Sequence, residues 1–310
     1  SDEILNFAFM AFCDEEKGAA FPAISYGFYQ VYGHLYGVDC LQIPLQPDFT
    51  IDPSDYYGLG RTIIIANPNA PTGLALSRAQ VEQIVRRYPN LIVAQTFSKS
   101  RSLAGGRLGF AIAQPELIAD LNKVKFSTNP YCINRLTCLA GIAAIQDEHY
   151  FQTCCGRVIQ TRQWTIEQLT RLGFQTLPSR ANFIFTRKPG VSGRELYLAL
   201  KRQGILVRHF DKDPIRDWLR ITIGSPQDMQ ALIDAIFPAI SWHNRYSISS
   251  PVSSRFNSSA SSWRGSSMAD LICTSRAAIS KNSVATSRSV SCIWRMVSIY
   301  CASTSAMGIS

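Results

Sequence analysis

The stretch LIVAQTFSKSRSLAGGRLGF, residues 91–110, decides how the rest of the chain is read. Leu91, Ile92, Val93 and Ala94 form a short apolar run of the kind that makes a buried strand. Thr96, Ser98 and Lys99 follow at its C-terminal end. Gly105 and Gly106 then break the chain, and Arg107 opens a second apolar run over 108–113. Open α/β sheets bind ligands outside the C-terminal ends of their strands. Lys99 therefore has two readings. It is a solvated lysine after a strand, or it anchors a phosphate-bearing aldehyde. In the second case the neutral amine forms a Schiff base, and the hydroxyls with Arg107 hold the phosphate.

Upstream, residues 61–66 (RTIIIA) are a β-branched run, the pattern of a doubly covered parallel strand. They end in Asn67-Pro68-Asn69-Ala70-Pro71-Thr72-Gly73, which predicts a tight exposed turn at the C-terminal strand edge. Ser77 caps a helix over 78–88. Strand, polar turn, helix and strand make a βαβ unit leading into the lysine stretch. Nearer the start, Ser1-Asp2-Glu3 precedes a helix-compatible run over 4–12. Those first residues are a plain cap, or their amides bind a phosphate. Residues 19–21 read as a strand ending at Pro22, 26–36 as a helix with core aromatics, and 38–45 as a strand.

Downstream, 134–147 and 151–172 read as helices, the second long enough to bridge two lobes. Strands are expected at 174–177, 182–186, 205–208 and 218–223, and helices at 193–203 and 226–237. The predicted class is α/β, with a mostly parallel sheet in a large cofactor-binding domain over 1–150 and a small α/β domain over 151–238. A Ser-rich tail occupies 239–310.

With 310 residues the chain can hold two domains and a sizeable core. Its net charge is +9, but residues 241–310 carry seven Arg/Lys against one acid, Asp270. The diffuse remainder calls for no nucleic-acid partner. The nine cysteines show no CxxC or Cys/His metal spacing, and Cys154 and Cys155 are adjacent. They read as reduced, cytoplasmic thiols, with no metal site. No run reaches the roughly 18 apolar residues of a membrane span, and no signal peptide is visible. Starting at Ser1 without Met, the chain reads as a fragment or processed product. The tail has 22 serines, no Glu and no Gln, with Trp242, Trp263 and Trp294 scattered through it. It reads as an out-of-frame or mis-joined translation, with a basic interaction tail as the rival.

NPNAPTG followed by TFSKSRSLAGGRLGF resembles the fold-type-I pyridoxal-phosphate aminotransferases. Ser1-Asp2-Glu3, Ile24-Ser25-Tyr26-Gly27-Phe28-Tyr29 and Trp218-Leu219-Arg220-Ile221-Thr222-Ile223-Gly224 are similar to further motifs of the histidinol-phosphate aminotransferase branch. The resemblance covers about residues 1–238. It implies pyridoxal 5'-phosphate held covalently by Lys99. Ser98, Thr96, Arg107 and the amides around Ser1 and Asp2 would bind its phosphate. Tyr26 would stack on the ring, and Asn69 would lie beside it. Arg220 would take the carboxylate of L-glutamate, Arg208 the phosphate of imidazole-acetol phosphate, and Asn182 would lie near the substrate. The implied product is histidinol phosphate, in histidine biosynthesis, and the implied assembly a cytoplasmic homodimer. Another aminotransferase of this fold, a phosphothreonine decarboxylase or an inactive truncated relative are the alternatives.

Three departures from that pattern are expected to matter. The family's N-terminal arm is absent. Only residues 77–90 separate the turn region from the strand at Leu91, too few for the strand and crossover placed there in the family. With that strand goes the aspartate beneath the pyridine nitrogen, since no Asp or Glu lies between Glu82 and Lys99. Ala70 stands where related enzymes often carry asparagine. The sheet is therefore expected to lack one strand.

Overall fold

The computed structural model describes residues 1–246, and of residues 241–246 the backbone alone. Most of the Ser-rich tail, with Trp263, Trp294 and Cys273, Cys292 and Cys301, lies outside the described residues. In chain order the elements are α1 (Asp2–Phe12), β1 (Ala19–Pro22), α2 (Phe28–Tyr36), β2 (Cys40–Ile43), β3 (Thr62–Ile63), α3 (Arg78–Arg87) and β4 (Val93–Thr96). Then come β5 (Gly109–Ile112), α4 (Pro115–Thr128), α5 (Arg135–Gln146), α6 (Glu148–Arg171), β6 (Gln175–Thr176), β7 (Phe183–Arg187), α7 (Gly193–Arg202), β8 (Arg208–His209), β9 (Leu219–Thr222) and α8 (Pro226–Tyr246).

Local chemistry accounts for several boundaries. α3 opens on a capping box, in which Ser77 accepts from the Gln80 amide and the Gln80 side chain accepts from the Ser77 amide. α2 stops at Gly37, whose φ of 64° is the left-handed cap that glycine adopts without a Cβ penalty. α7 starts at Ser192, which accepts from the Glu195 amide. α4 had no counterpart in the sequence pattern, although Pro115 in its first turn and Lys125 in its last are ordinary start and stop signals. α8 runs to Tyr246, beyond the expected end at 237 and through Pro238.

The strands form three sheets. β2-β1-β3 is parallel, with Ala19 opposite both Cys40 and Thr62. β4-β5 is an antiparallel pair. β6-β7-β9-β8 is antiparallel throughout. The expected parallel sheet is thus present only in β2-β1-β3, and the lysine strand is not hydrogen-bonded to it. Residues 61–66 are not the doubly covered strand expected. Only Thr62 and Ile63 pair, at a sheet edge, and all six residues are half-buried, because among the described residues no strand lies on their other side.

Three cores hold the chain together. α6, α7, α8, β7 and β9 bury Leu169, Leu200, Ile184, Leu219, Leu232 and Ile236 at 0–1% exposure. A second core packs α1, β1 and α2 through Phe9, Phe21, Tyr29 and Tyr32. A third joins the two halves, with Ile24 packed against Phe185, Ile215 and Trp218. There the Phe185 and Trp218 rings stack at 5.0 Å. Among the described residues no helix is long and apolar enough to cross a membrane.

Candidate active site

The start of α1 is held against β5 by a close approach. A Cβ at Gly109 would come within 2.7 Å of both the Ser1 nitrogen and the Gln95 carbonyl, so this position needs glycine. Ser1 occupies the N-cap position but makes no side-chain cap, leaving the first-turn amides of α1 without that partner. The expectation of a plain cap fails here. Arg107 and Lys99 both add positive potential at the Ser1 nitrogen, so the lysine strand and the helix start share one neighbourhood.

Asp2 is the hub of that neighbourhood. Its carboxylate accepts from Tyr26 Oη at 3.1 Å and from Arg107 Nη2 at 3.1 Å. Tyr32 Oη donates to the Asp2 carbonyl at 2.9 Å. Burial, then the Asp2 charge, pushes the Tyr26 hydroxyl up to about 12. The Tyr26 ring stacks on Phe28 at 5.7 Å. Arg107 itself sits at φ 50°, a left-handed backbone that costs a non-glycine residue about 1–2 kcal/mol. Thr96 Oγ1 donates to Ser98 Oγ at 2.9 Å and accepts from the Ser98 amide at 3.1 Å, placing both hydroxyls beside Lys99, which is exposed.

Asn69 is buried at 1% exposure. Its amide nitrogen donates to the Ile24 carbonyl at 2.9 Å, and its oxygen accepts from Ser25 Oγ at 2.8 Å. The polar turn is thereby fastened to the loop that carries Tyr26. Gly73, at φ 76°, lets the same turn lie against Ser179, and its carbonyl accepts from the Arg180 amide.

Arg208 and Arg220 face each other across β8 and β9. Arg220 lies over Phe183 at 5.3 Å and Phe210 at 6.0 Å, and Arg208 over Phe210 at 5.4 Å. No ion pair engages either guanidinium among the described residues, and Arg220 Nε is buried with no hydrogen-bond partner. Burial, then the Arg208 charge, lowers the Arg220 pKa. Arg220 lies on the inner strand β9, whereas Arg208 is exposed on the edge strand β8. Phe210 also packs against the cluster containing Ile24, which ties the arginines to the loop before Tyr26. Asn182 is exposed, and its carbonyl accepts from the Ile223 amide.

Ser25, Tyr32, Phe183 and Phe210 support these groups and were not singled out by the sequence. Phe210 follows Arg208 at the two-residue spacing that puts both on one strand face, a readable signal. An open depression of about 450 Å³ lined by Gln46, Asp48, Thr50, Asp52 and Gln80 holds none of the predicted site residues.

The family Aminotransferase class I and II matches residues 1–88 and 84–236. The chain belongs to that family. The histidinol-phosphate aminotransferase of Brachyspira hyodysenteriae is 45% identical over 263 residues, spanning 76% of this chain and 74% of the relative. That of Acinetobacter baylyi is 45% identical over 262 residues, spanning 76% and 73%. Among solved structures, the histidinol-phosphate aminotransferase of Clostridium acetobutylicum matches with TM-score 0.68 at 21% identity, over 77% of this chain and 81% of that one. The Sinorhizobium meliloti enzyme, in complex with pyridoxal-5'-phosphate, matches with TM-score 0.70 at 20% identity, over 78% and 75%. Because 76% of 310 residues is about 236, the 263-residue alignment leaves about 27 positions of the Brachyspira relative without a counterpart. The family match breaks at 84–88, between the polar turn and the lysine strand.

The donor set fits the phosphate end of a pyridoxal cofactor. One guanidinium, two hydroxyls, a lysine and a run of uncapped helix amides converge, which is the chemistry that holds a phosphoryl group. The carboxylate bonded within this cluster is Asp2, and it is engaged by Arg107 and Tyr26.

Proposed function

We propose that this chain transfers the amino group of L-glutamate to imidazole-acetol phosphate, giving histidinol phosphate, with pyridoxal 5'-phosphate as cofactor and as a homodimer. The observation that carries this reading is the facing pair Arg208 and Arg220, two guanidiniums without carboxylate partners among the described residues, the Arg220 Nε being buried and unbonded beside aromatic rings. Such a pair is a site for small dianionic or carboxylate substrates, which a guanidinium fork grips through two parallel hydrogen bonds. The names of the Brachyspira and Acinetobacter relatives support the choice of substrate.

In this reading Ser98, Thr96, Arg107 and the first amides of α1 bind the cofactor phosphate. Tyr26 covers the ring, and Asn69, locked to Ile24 and Ser25, keeps the polar turn beside it. The bound cofactor supplies an aldehyde and an electron-withdrawing ring that stabilises negative charge on the substrate carbon. Lys99 would hold the cofactor through that aldehyde, and its free amine would act as the general base that takes a proton from the substrate α-carbon and the general acid that later returns one. Arg220 orients the glutamate carboxylate, Arg208 the phosphate of the acceptor, and Asn182 lies at the rim.

The test is reconstitution with pyridoxal 5'-phosphate, borohydride reduction and peptide mapping, followed by the two half-reactions. The expected result is a pyridoxyl mass on Lys99, bleaching of the cofactor by L-glutamate, and recovery of its colour by imidazole-acetol phosphate. Arg208→Ala should raise KM for the phosphorylated acceptor while sparing the glutamate step. A label on another residue would overturn the role of Lys99. Recovery by unphosphorylated keto acids alone would overturn the acceptor.

A further inference from the structure

We propose that the unpaired edges of β3 and β4 form a slot for one extended apolar segment donated by a separate polypeptide, equivalent to the segment that the relatives carry in line at this point. Backbone direction is the first support. Thr62 and Ile64 donate to Gly18 and Ala20 at 3.2 and 2.9 Å, so the backbone groups of Ile63 and Ile65 point away from β1. Phe97 donates to Leu108 at 3.0 Å, in step with Val93 opposite Ile112 and Gln95 opposite Phe110. Ala94 and Thr96 consequently face away from β5. No third strand takes up either row among the described residues.

Both edges belong to one strand–helix–strand connection through α3. α3 returns from the polar turn so that Arg87 lies over the Tyr57 ring at 4.3 Å, and the Tyr57 and Tyr88 rings sit 6.1 Å apart. The chain therefore re-enters β4 near the level at which it entered β3. This is the geometry of a βαβ crossover, whose strands are parallel. Apolar surface around the slot is left open. Ile63, Ile64 and Ile65 are half-buried, Val93 is 41% and Val85 51% exposed, and α3 buries no residue.

Edges of this kind attract strands unless charge, proline or a covering element blunts them. Thr62-Ile63-Ile64-Ile65 and Val93-Ala94-Gln95-Thr96 carry no charge and no proline. Length identifies the occupant. The break in the family match falls between these two strands, and about 27 positions of the Brachyspira alignment have no counterpart in this chain. A strand of about 5–6 residues with its two connections fits within that number. Such a segment would hydrogen-bond on both sides and present apolar side chains to both faces.

The probe is a synthetic, fluorescently labelled peptide spanning those positions of the Brachyspira relative, titrated into the full chain, with a scrambled peptide as control. Saturable binding of the native-order peptide alone is expected, with amide-exchange protection appearing at 62–66 and 93–97. Ala94→Pro removes an outward N–H without touching the β4-β5 bonds, and should weaken binding about tenfold or more while the far-ultraviolet spectrum is kept. Should that variant fail to fold, a peptide N-methylated at alternate residues reads the same edge with the protein unaltered. Equal binding of the scrambled peptide, or protection confined to other segments, would overturn the slot. Concentration-dependent self-association that protects 62–66 and 93–97 without peptide would also overturn it, by giving the edges to a second copy.

Discussion

The sheet β6-β7-β9-β8 and the pair β4-β5 have similarly apolar strands and very different fates. Ile184, Leu219 and Ile221 are 0–2% exposed under α6, α7 and α8, and Phe185, at 0%, packs against Ile24, Ile215 and Trp218. Val93 is 41% exposed, and Ala94 and Gln95 are exposed too. The helices near β4 tell the same story. α3 buries nothing, α4 only Leu121 and α5 only Gly141. A strand is buried by its neighbours rather than by its own hydrophobicity, and here one half of the molecule has its neighbours while the other does not. The predicted anchor lysine sits in the poorly covered half, and the paired arginines sit on the well-covered one.

This contrast can be broken by mutation. Leu219→Ala should cost about 2–5 kcal/mol, the range for opening a cavity in a closed core. Leu139→Ala on α5, where the side chain is 55% exposed, should stay within about 0.5 kcal/mol. Urea titrations of both variants measure the difference, and equal losses would erase the distinction between the two halves. Amide exchange sharpens it, with β7 and β9 exchanging far more slowly than β4 and β5.

Next in size is Asn69→Ala, which leaves the Ile24 carbonyl and Ser25 without partners in a buried turn. A loss of about 1–3 kcal/mol is expected, read from the denaturation midpoint. Arg107→Ala should change stability by less than about 1 kcal/mol, because its ion pair with Asp2 is largely solvent-exposed. It should nevertheless release pyridoxal 5'-phosphate, followed by absorbance after gel filtration. A large stability loss without a change in cofactor retention would make Arg107 structural.

The smallest effect concerns Asp228 in the first turn of α8. Ser225 donates to it through its hydroxyl and its amide, holding the carboxyl below its ordinary 3.8. The native state therefore binds fewer protons than the unfolded chain. The stabilisation is present above about pH 3.8 and is lost as pH falls through the lowered native value. Asp228→Asn should flatten that acid limb, measured by thermal unfolding between pH 5 and pH 2, because the variant lacks the stabilisation at neutral pH and converges with the parent in acid.

The residues near Lys99 were legible because they are local. A strand, two hydroxyls, a lysine and a glycine pair fall within twenty residues, and the polar turn at 67–73 is written in its prolines and asparagines. Ser77 formed the helix cap the sequence foretold, and Gln80 completed it as a capping box that the sequence reading had not singled out. Harder to see were contacts that depend on chain return. The bridge from Tyr26 to Asp2 spans 24 positions and that from Arg107 to Asp2 spans 105. The aromatic bed under Arg220 needs β7, β8 and β9 to be neighbours. α4 went unread because its apolar residues are spread around the helix, leaving only Leu121 buried.

By itself the sequence determined the class and the shortage of residues between turn and lysine strand, and it singled out the stretch proposed to anchor the cofactor, since each is a matter of residue type and spacing along the chain. Tertiary structure alone decided that the N-terminal strands fall into separate sheets, that Asp2 joins Tyr26 to Arg107, and that Arg208 and Arg220 face one another without a carboxylate partner among the described residues. Those outcomes depend on which backbone edges and side chains meet after distant segments pack, and hydrogen bonds between such segments leave no periodic mark in the chain.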